Sequence, residues 1–443
     1  MRPGRAARLI ACLLAGLLLA GAQGAAAAPE GQGTSAAKAA PKQGRSLDGH
    51  VTVEQSYTDN LNLATTRGGE DFLTKVRPGF SLAADSPAQG AVVNYDFGLS
   101  RYWKLDEQFT SHELRGKLWQ GWEHVRLDAA GGFSRQESPI EVSPETGAVL
   151  GLRNAVKPYY RANGAPGVTY EFGPGCSVRA GYNYSTYWGD DVRFQNSQMN
   201  SPNVSVAYAL DPFNVVRANY AYELGSFSRG GGLFPTSNFA AHRGGASYTR
   251  KVDTQLDVTA ACSISDLSYG SGTGYQTDQL TLGTSYGFSE SLKGSLSAGY
   301  YYVDKQGQGR SGPNISGTLT KIFPRGRVSV SGERGVGEDY YSAENLGLYD
   351  FWGGRIGATL QLAERLAGHL AAGWRRSDFF SRGRTDDSWN AGGGLSWVIS
   401  PWLTGRADYS HTVQQSAATA GFQGILWNFT ANTVTFGLAA TYR

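Results

Sequence analysis

The sequence predicts an all-β chain: a transmembrane, up-and-down antiparallel β-barrel of about 18–20 strands with short turns at one end and long loops at the other. Three observations carry this. Alternation with period two runs through most of the chain, as in Thr281–Tyr302. There Leu282, Thr284, Tyr286 and Phe288 oppose Thr281, Gly283, Ser285 and Gly287. After Ser289-Glu290-Ser291, Leu292, Gly294, Leu296, Ala298, Tyr300 and Tyr302 oppose Lys293, Ser295, Ser297, Gly299 and Tyr301. Such alternation marks strands with two unlike faces. The links between strands alternate between short and long. The composition is that of strands and turns, with 60 Gly, 24 Tyr, 19 Phe and 10 Trp in 443 residues and only 17% charged residues.

The chain opens with a pattern expected of a secretory signal peptide over residues 1–28. Arg2, Arg5 and Arg8 precede an apolar run, Leu9–Ala20, and small residues follow through Ala28. That run is too short for a membrane-spanning helix. Without these three arginines the basic count equals the 37 acidic residues. The mature chain is therefore near neutral, with no basic tract for nucleic acid. Pro29–Leu47 lacks periodicity and reads as a flexible periplasmic tail, too short to plug a wide barrel. Cys176 and Cys262 fall on different strands and are expected to be free, packed thiols.

The barrel is expected over residues 48–443, with twenty strands near 50–57, 71–84, 91–105, 109–122, 124–135, 156–172, 176–188, 198–210, 214–224, 238–252, 254–268, 276–288, 292–302, 312–323, 326–334, 349–362, 366–376, 387–399, 403–413 and 429–442. Links after even-numbered strands are short, as at Asp211-Pro212, Pro324-Arg325 and Ser400-Pro401; most after odd-numbered strands are long and polar, as at Gln136–Ala155 and Gln414–Asn428. An outer-membrane barrel has short periplasmic turns and long external loops, and an even strand count returns both termini to the periplasm.

Strand length separates lipid from a protein core. Soluble strands average about 5–6 residues, whereas a tilted membrane strand needs about 9–11. Aromatic residues gather at both strand ends: Trp103, Trp188, Tyr302 and Trp374 near long loops, and Trp122, Phe172, Phe288, Phe323 and Trp402 near short turns. The face opposite the apolar one carries Arg115, Lys117, Arg126, Asp128, Tyr159, Arg179, Arg217, Lys293, Tyr301, Arg355, His369, Arg375, Arg406 and Asp408, the candidate lumen lining. Cations exceed anions there by about two to one, which points to a weak preference for anionic solutes. The last strand sets Val434, Phe436, Leu438, Ala440 and Tyr442 in one apolar row, like the terminal strand that barrel-assembly machinery recognises, although Arg443 follows the aromatic.

The start of the barrel resembles the beta-barrel porin-2 type of outer-membrane protein found beside exopolysaccharide and capsule export systems. The resemblance rests on Val51–Asn60, with Glu54, Tyr57, Asp59 and Asn60 in a Glu-x-x-Tyr-x-Asp-Asn pattern, and on Asp71–Gly79 with its Val-x-Pro-Gly. It covers about 30 residues, and it implies polysaccharide secretion with periplasmic export proteins, or a general porin role. From the residues themselves, Asp59-Asn60 suit a turn and Pro78 a bulge, with ligand or partner binding by Glu54, Tyr57 and Asp59 as the alternative.

No phosphate-binding loop, dinucleotide fingerprint or His-Glu-x-x-His occurs. Asp190-Asp191, Asp386-Asp387 and His411 are the only rim candidates for catalysis, and Asp386-Asp387 for Ca²⁺; solvated loop residues are the better reading. The expectation is therefore a non-enzymatic pore of a Gram-negative outer membrane, with no cofactor or metal. Its cargo is a polysaccharide strand or, alternatively, small diffusing solutes. A third possibility is a structural sheath around a partner such as a cytochrome.

Overall fold

The computed structural model describes residues 44–442 apart from 62, 64–68, 87, 138–139, 143–148, 153–156, 190–195, 229–237, 271–273, 306–307, 340–346, 381–382 and 419–427. The expected signal peptide, most of the expected tail, and Asp190-Asp191 lie outside the described residues.

The strands are β1 (Gly44–Thr58), β2 (Asp71–Asp85), β3 (Gln89–Tyr102), β4 (Glu107–Gly121), β5 (Val125–Gln136), β6 (Ile140–Val142), β7 (Val149–Leu152), β8 (Tyr159–Gly173), β9 (Cys176–Gly189), β10 (Asn196–Asp211) and β11 (Asn214–Ser228). There follow β12 (Phe239–Lys251), β13 (Leu256–Tyr269), β14 (Gly274–Ser289), β15 (Leu292–Lys305), β16 (Gln308–Phe323), β17 (Gly326–Asp339), β18 (Gly347–Ala363), β19 (Leu366–Phe379), β20 (Arg384–Ser400), β21 (Leu403–Ala418) and β22 (Phe429–Tyr442).

All but β6 and β7 form one 20-stranded antiparallel sheet, each strand pairing with the next in chain order. β1 pairs with β22 from Gly49↔Tyr442 to Thr58↔Thr433, so the sheet closes. Closure leaves no open edge along this seam, as a strand surrounded by lipid requires. The twenty expected strands are all present, and most run further toward the long loops than alternation indicated. β1 also starts earlier: Gly44–Leu47, assigned to the tail, pair with Leu82–Asp85. The short β6–β7 pair, inside the long link after β5, has no counterpart in the sequence reading.

Side chains make the tight turns. Asp211 Oδ1 accepts the Phe213 N–H at 2.7 Å, and its Oδ2 accepts Asn214 Nδ2 at 2.7 Å. The Ser289 hydroxyl accepts the Leu292 N–H at 3.1 Å. Register shifts recur just before such turns, between Ala209 and Asp211, Gly287 and Ser289, and Val398 and Ser400. These extra residues add the local twist a tight connection needs. In the turn after β8, Gly175 has φ +72°, and a Cβ there would sit 2.9 Å from the Cβ of Ala209. Gly175→Val is expected to cost about 2 kcal/mol or more from the left-handed backbone and the clash, measured by urea unfolding in lipid vesicles; a change below about 0.5 kcal/mol would contradict this turn geometry.

The barrel exterior is apolar. Leu114, Leu118, Leu282, Leu296, Leu319, Ile356, Leu370, Leu395 and Leu438 are all exposed. Exposed aromatics flank this band: Trp103, Tyr300, Tyr302, Trp352 and Trp389 toward the long loops, and Trp122, Phe172, Phe288, Phe323 and Trp402 toward the short turns. An apolar surface of this extent exceeds the few-hundred-Å² patches of soluble monomers and has the form of a lipid-facing belt. Cys176 and Cys262 are not joined in a disulfide.

Candidate functional site

The other face of the sheet is polar. On three adjacent strands, Ser295 lies opposite Thr318 and Ser297 opposite Ser316, while Thr318 lies opposite Ser331 and Thr320 opposite Ser329. Lys293 shares this face, since it alternates with exposed Leu296 and keeps step with Ser295 and Ser297. Toward the short turns the inner face is wet: the Arg115 side chain is 74% exposed, His369 46% and Arg406 41%.

Most of the charges on this wall neutralise one another. Arg115 pairs with Glu113. Arg179 grips Asp128 with both guanidinium nitrogens, Nη2 to Oδ2 at 2.8 Å. Arg375 Nη1 meets Glu333 Oε1 at 3.0 Å, and its guanidinium lies 4.0 Å from the Phe351 ring centre. Arg406 pairs with Glu54 and lies 3.8 Å from Asp408, which also sits 3.5 Å from His369 Nε2. Among the described residues Arg217 reaches the Thr249 hydroxyl, at 3.5 Å, and Lys117 lies over Trp119. Lys117, Arg126, Arg217 and Lys293 have no ion-pair partner among the described residues. Arg355 is on the same face, opposite Ser331. The expected two-to-one cation excess shrinks to these few groups, because Glu54, Glu113, Asp128 and Glu333 lie on the same wall.

Two tyrosines depart from the expected lining. Tyr159 is 3% exposed, with its hydroxyl 3.1 Å from Gln136 Oε1 and its ring packed on Tyr187. Tyr301 is 1% exposed and does not face open lumen. For Tyr301 the reason lies in the outer ends of β17 and β18.

The β16–β17 ladder runs only from Phe323↔Gly326 to Ile315↔Arg334. Beyond it, residues 308–314 and 335–339 no longer pair with each other. The break lies next to Pro313, which has no N–H to offer β17. The β17–β18 ladder nevertheless continues without a shift to Asp339↔Gly347, and β18–β19 to Tyr349↔Phe379. The ends of β17 and β18 therefore leave the line of β16 together, while β19 stays paired to β20 as far as Phe379↔Arg384.

Strand parity shows where they go. Val336, Glu338, Leu348 and Asp350 continue the outward row of Val330, Trp352 and Ile356, yet they contact the inner face of other strands. Glu338 binds Arg243 of β12, which also holds Glu223 at 2.7 Å. Asp350 accepts the Tyr301 hydroxyl of β15 and lies 2.6 Å from Arg310 Nη2 of β16. Leu348 is buried with Met199, Phe239, Ala241, Leu267, Tyr275, Tyr301 and Val303, and Val336 packs against this cluster. The wall here is doubled: the ends of β17 and β18 lie inside those of β10–β16, with an apolar core between the layers. The sheet overlaps itself like the edge of a scroll.

The residues that carried the family resemblance hold the seam. Glu54 lies between Arg77 and Arg406, pairing with both. Asp59 accepts the Asn432 N–H and Nδ2, each at 2.7 Å. Asn60 Nδ2 donates to Thr430 O at 2.9 Å, and the Ser56 and Thr435 hydroxyls meet at 2.9 Å. Tyr57 donates to Glu70 at 2.9 Å. A hydrogen bond from Lys104 and then that from Tyr57 hold the Glu70 carboxyl below its usual range. The bulge expected at Pro78 is absent. Val51↔Pro78 stays in register, and the ladder to β3 opens over Arg77 and Pro78 without a shift, because the missing N–H removes a bond and not a residue.

The candidates for chemistry at the rim serve the frame. Asp386 pairs with Arg384, Asp387 lies 3.6 Å from Arg376, and His411 Nδ1 sits 2.7 Å from Asn432. No cluster of three metal-ligating side chains occurs among the described residues. A rim cavity of about 850 Å³ is lined by polar groups that include Asn60, Arg376, Asp387 and Gln414.

No protein-family model and no curated protein matches the chain. Solved structures do resemble it. The siderophore receptor PirA from Pseudomonas aeruginosa is 12% identical, with a TM-score of 0.52 over 91% of this chain and 82% of the receptor. The ferric enterobactin receptor PfeA of the same organism gives 10%, 0.53, 91% and 82%. OccK2 (OpdF) from P. aeruginosa is 10% identical, with a TM-score of 0.43 over 89% and 98%. At these identities the likeness to the two receptors is one of fold: this chain is a closed β-barrel of the kind that outer-membrane receptors use.

Proposed function

We propose that this chain is a pore through a Gram-negative outer membrane, and that its cargo is an exopolysaccharide or capsule strand handed over by periplasmic export proteins. In this reading the short turns and both chain termini face the periplasm, the terminal strand Phe429–Tyr442 is read by the barrel-assembly machinery, and the long loops face outward.

The observation that carries the proposal is the inner wall. Rows of Ser, Thr and Asn, with charges mostly paired to each other, suit a hydrated, polyhydroxylated chain. Hydroxyl walls exchange hydrogen bonds with such a cargo without gripping it, the balance that conduction requires. An apolar cargo would meet no apolar track there, and a strongly charged one would meet little net field. A 20-stranded barrel is also wider than the 16–18-stranded porins that leave an aqueous channel.

A deletion strain tests this. Loss of surface polysaccharide with unchanged small-solute uptake is the expected result. Normal polysaccharide with reduced solute uptake would overturn it in favour of a general diffusion porin, which the same wet wall supports. Co-purification of a haem protein would instead point to a sheath. In planar bilayers, reversal potentials are expected to show only a slight anion preference, set by Lys117, Arg126, Arg217 and Lys293; a cation preference would contradict this charge map.

A further inference from the structure

We infer that the outer ends of β17 and β18 are a gate, seen here closed, which opens by moving outward to rejoin β16. The inference rests on the pore reading above and adds its regulation.

Four features of the described strand ends support movement. The layer is detached on one side only: the ladder to β16 stops at Ile315↔Arg334, while the ladders to β18 and β19 are unbroken, so these ends can shift as one leaf. The point of detachment is marked by glycine. Gly332 of β17 lies opposite Gly354 of β18, and Gly353 lies opposite Glu333. A row without side chains lets a strand pair bend sharply. The released backbone begins level with exposed Tyr300 and Trp352, since Tyr300 is opposite Pro313 and Trp352 opposite Arg334. Unpaired N–H and C=O groups there are at the membrane interface, where water can serve them; deeper in the bilayer they could not be left unpaired.

The contacts that hold the leaf inside are also of a separable kind. Two ionic latches, Glu338 on Arg243 and Asp350 on Arg310 with Tyr301, flank one apolar cluster around Leu348. The carboxylates of both latches come from the leaf and the cations from the fixed wall. The swing outward exchanges these contacts for the remainder of the β16–β17 ladder. Because both arrangements satisfy most of the same groups in different ways, the leaf has two discrete positions, as a switching element needs.

The test removes the latch charges without removing side-chain volume. In a background with Cys176→Ser, Cys262→Ser and Leu348→Cys, the parent is compared with Glu338→Gln plus Asp350→Asn. Two quantities are read: the rate at which Cys at position 348 reacts with a membrane-impermeant maleimide, and conductance in planar bilayers. Heat-modifiable electrophoretic mobility confirms that both proteins are folded. The expected result is a thiol rate at least ten-fold higher in the latch variant and a conductance or open probability several-fold higher. Equal thiol rates overturn the gate, whatever the conductance does. A faster thiol rate with no conductance in either protein sustains the movement and overturns the pore reading.

Discussion

Leu296→Arg is expected to destabilise the folded barrel by about 2–4 kcal/mol in lipid vesicles, the depth-dependent cost of a cation on the lipid face near the bilayer midplane. Leu296 is 56% exposed, and it lies midway along β15 between the turn at Ser289 and the aromatic pair Tyr300 and Tyr302. No protein surface covers it, so its environment is set by the surrounding solvent. The neighbouring Ser297 is on the opposite face, across from Ser316. Ser297→Arg should therefore cost less than about 1 kcal/mol, the ordinary range for a wet surface position. Urea unfolding of both variants in vesicles reads the difference directly. Equal costs would mean that the two faces of β15 meet the same medium.

Glu54→Ala is expected to cost about 2–3 kcal/mol and to weaken the barrel at its seam. Glu54 is 8% exposed and is the shared acceptor for Arg77 and Arg406, on strands either side of the β1–β22 closure. Its removal leaves two guanidinium groups facing each other with no anion between them, the situation in which breaking a buried pair costs most. The partial exposure of both arginines lowers the cost from the full buried value. Glu54→Gln retains volume and hydrogen bonding and should recover about half of the loss. The reading is the urea midpoint together with the temperature at which the folded band disappears on gels. A change below about 0.5 kcal/mol would show that backbone pairing alone holds the seam.

The barrel was legible because its signal is repeated. Each hairpin offers alternation, a polar turn and flanking aromatics, and twenty weak strand signals that agree in order leave little room for another fold. The pairing of inner-wall charges was not legible. Arg179 and Asp128 are far apart in sequence, and only the register of β5, β8 and β9 brings them together. The doubled wall did leave a trace. Along Gly299–Val303 the sequence reads Tyr300, Tyr301, Tyr302 and Val303, apolar on both faces, where the rest of β15 alternates. A strand apolar on both faces is covered on both. Phe239 and Ala241 on β12, with Leu267 on β13, carry the same mark on the inward face. Alternation places such residues on the inner wall without revealing what lies over them. The covering layer comes from strands two to six places further along, released next to Pro313, and nothing local to β12 or β15 encodes that.

The most direct measurement of the whole account is a comparison of two labels on β15. With Cys176 and Cys262 replaced by Ser, a fluorescent thiol label is placed at Leu296→Cys or at Ser297→Cys, and the refolded protein is reconstituted into vesicles containing spin-labelled lipid or bathed in aqueous iodide. A lipid-embedded barrel with a wet lumen requires the label at 296 to be quenched by the lipid and spared by iodide, and the label at 297 to show the reverse. Equal quenching of both labels by the same agent, or the reverse assignment, would contradict the barrel in lipid, the hollow interior and every functional reading built on them.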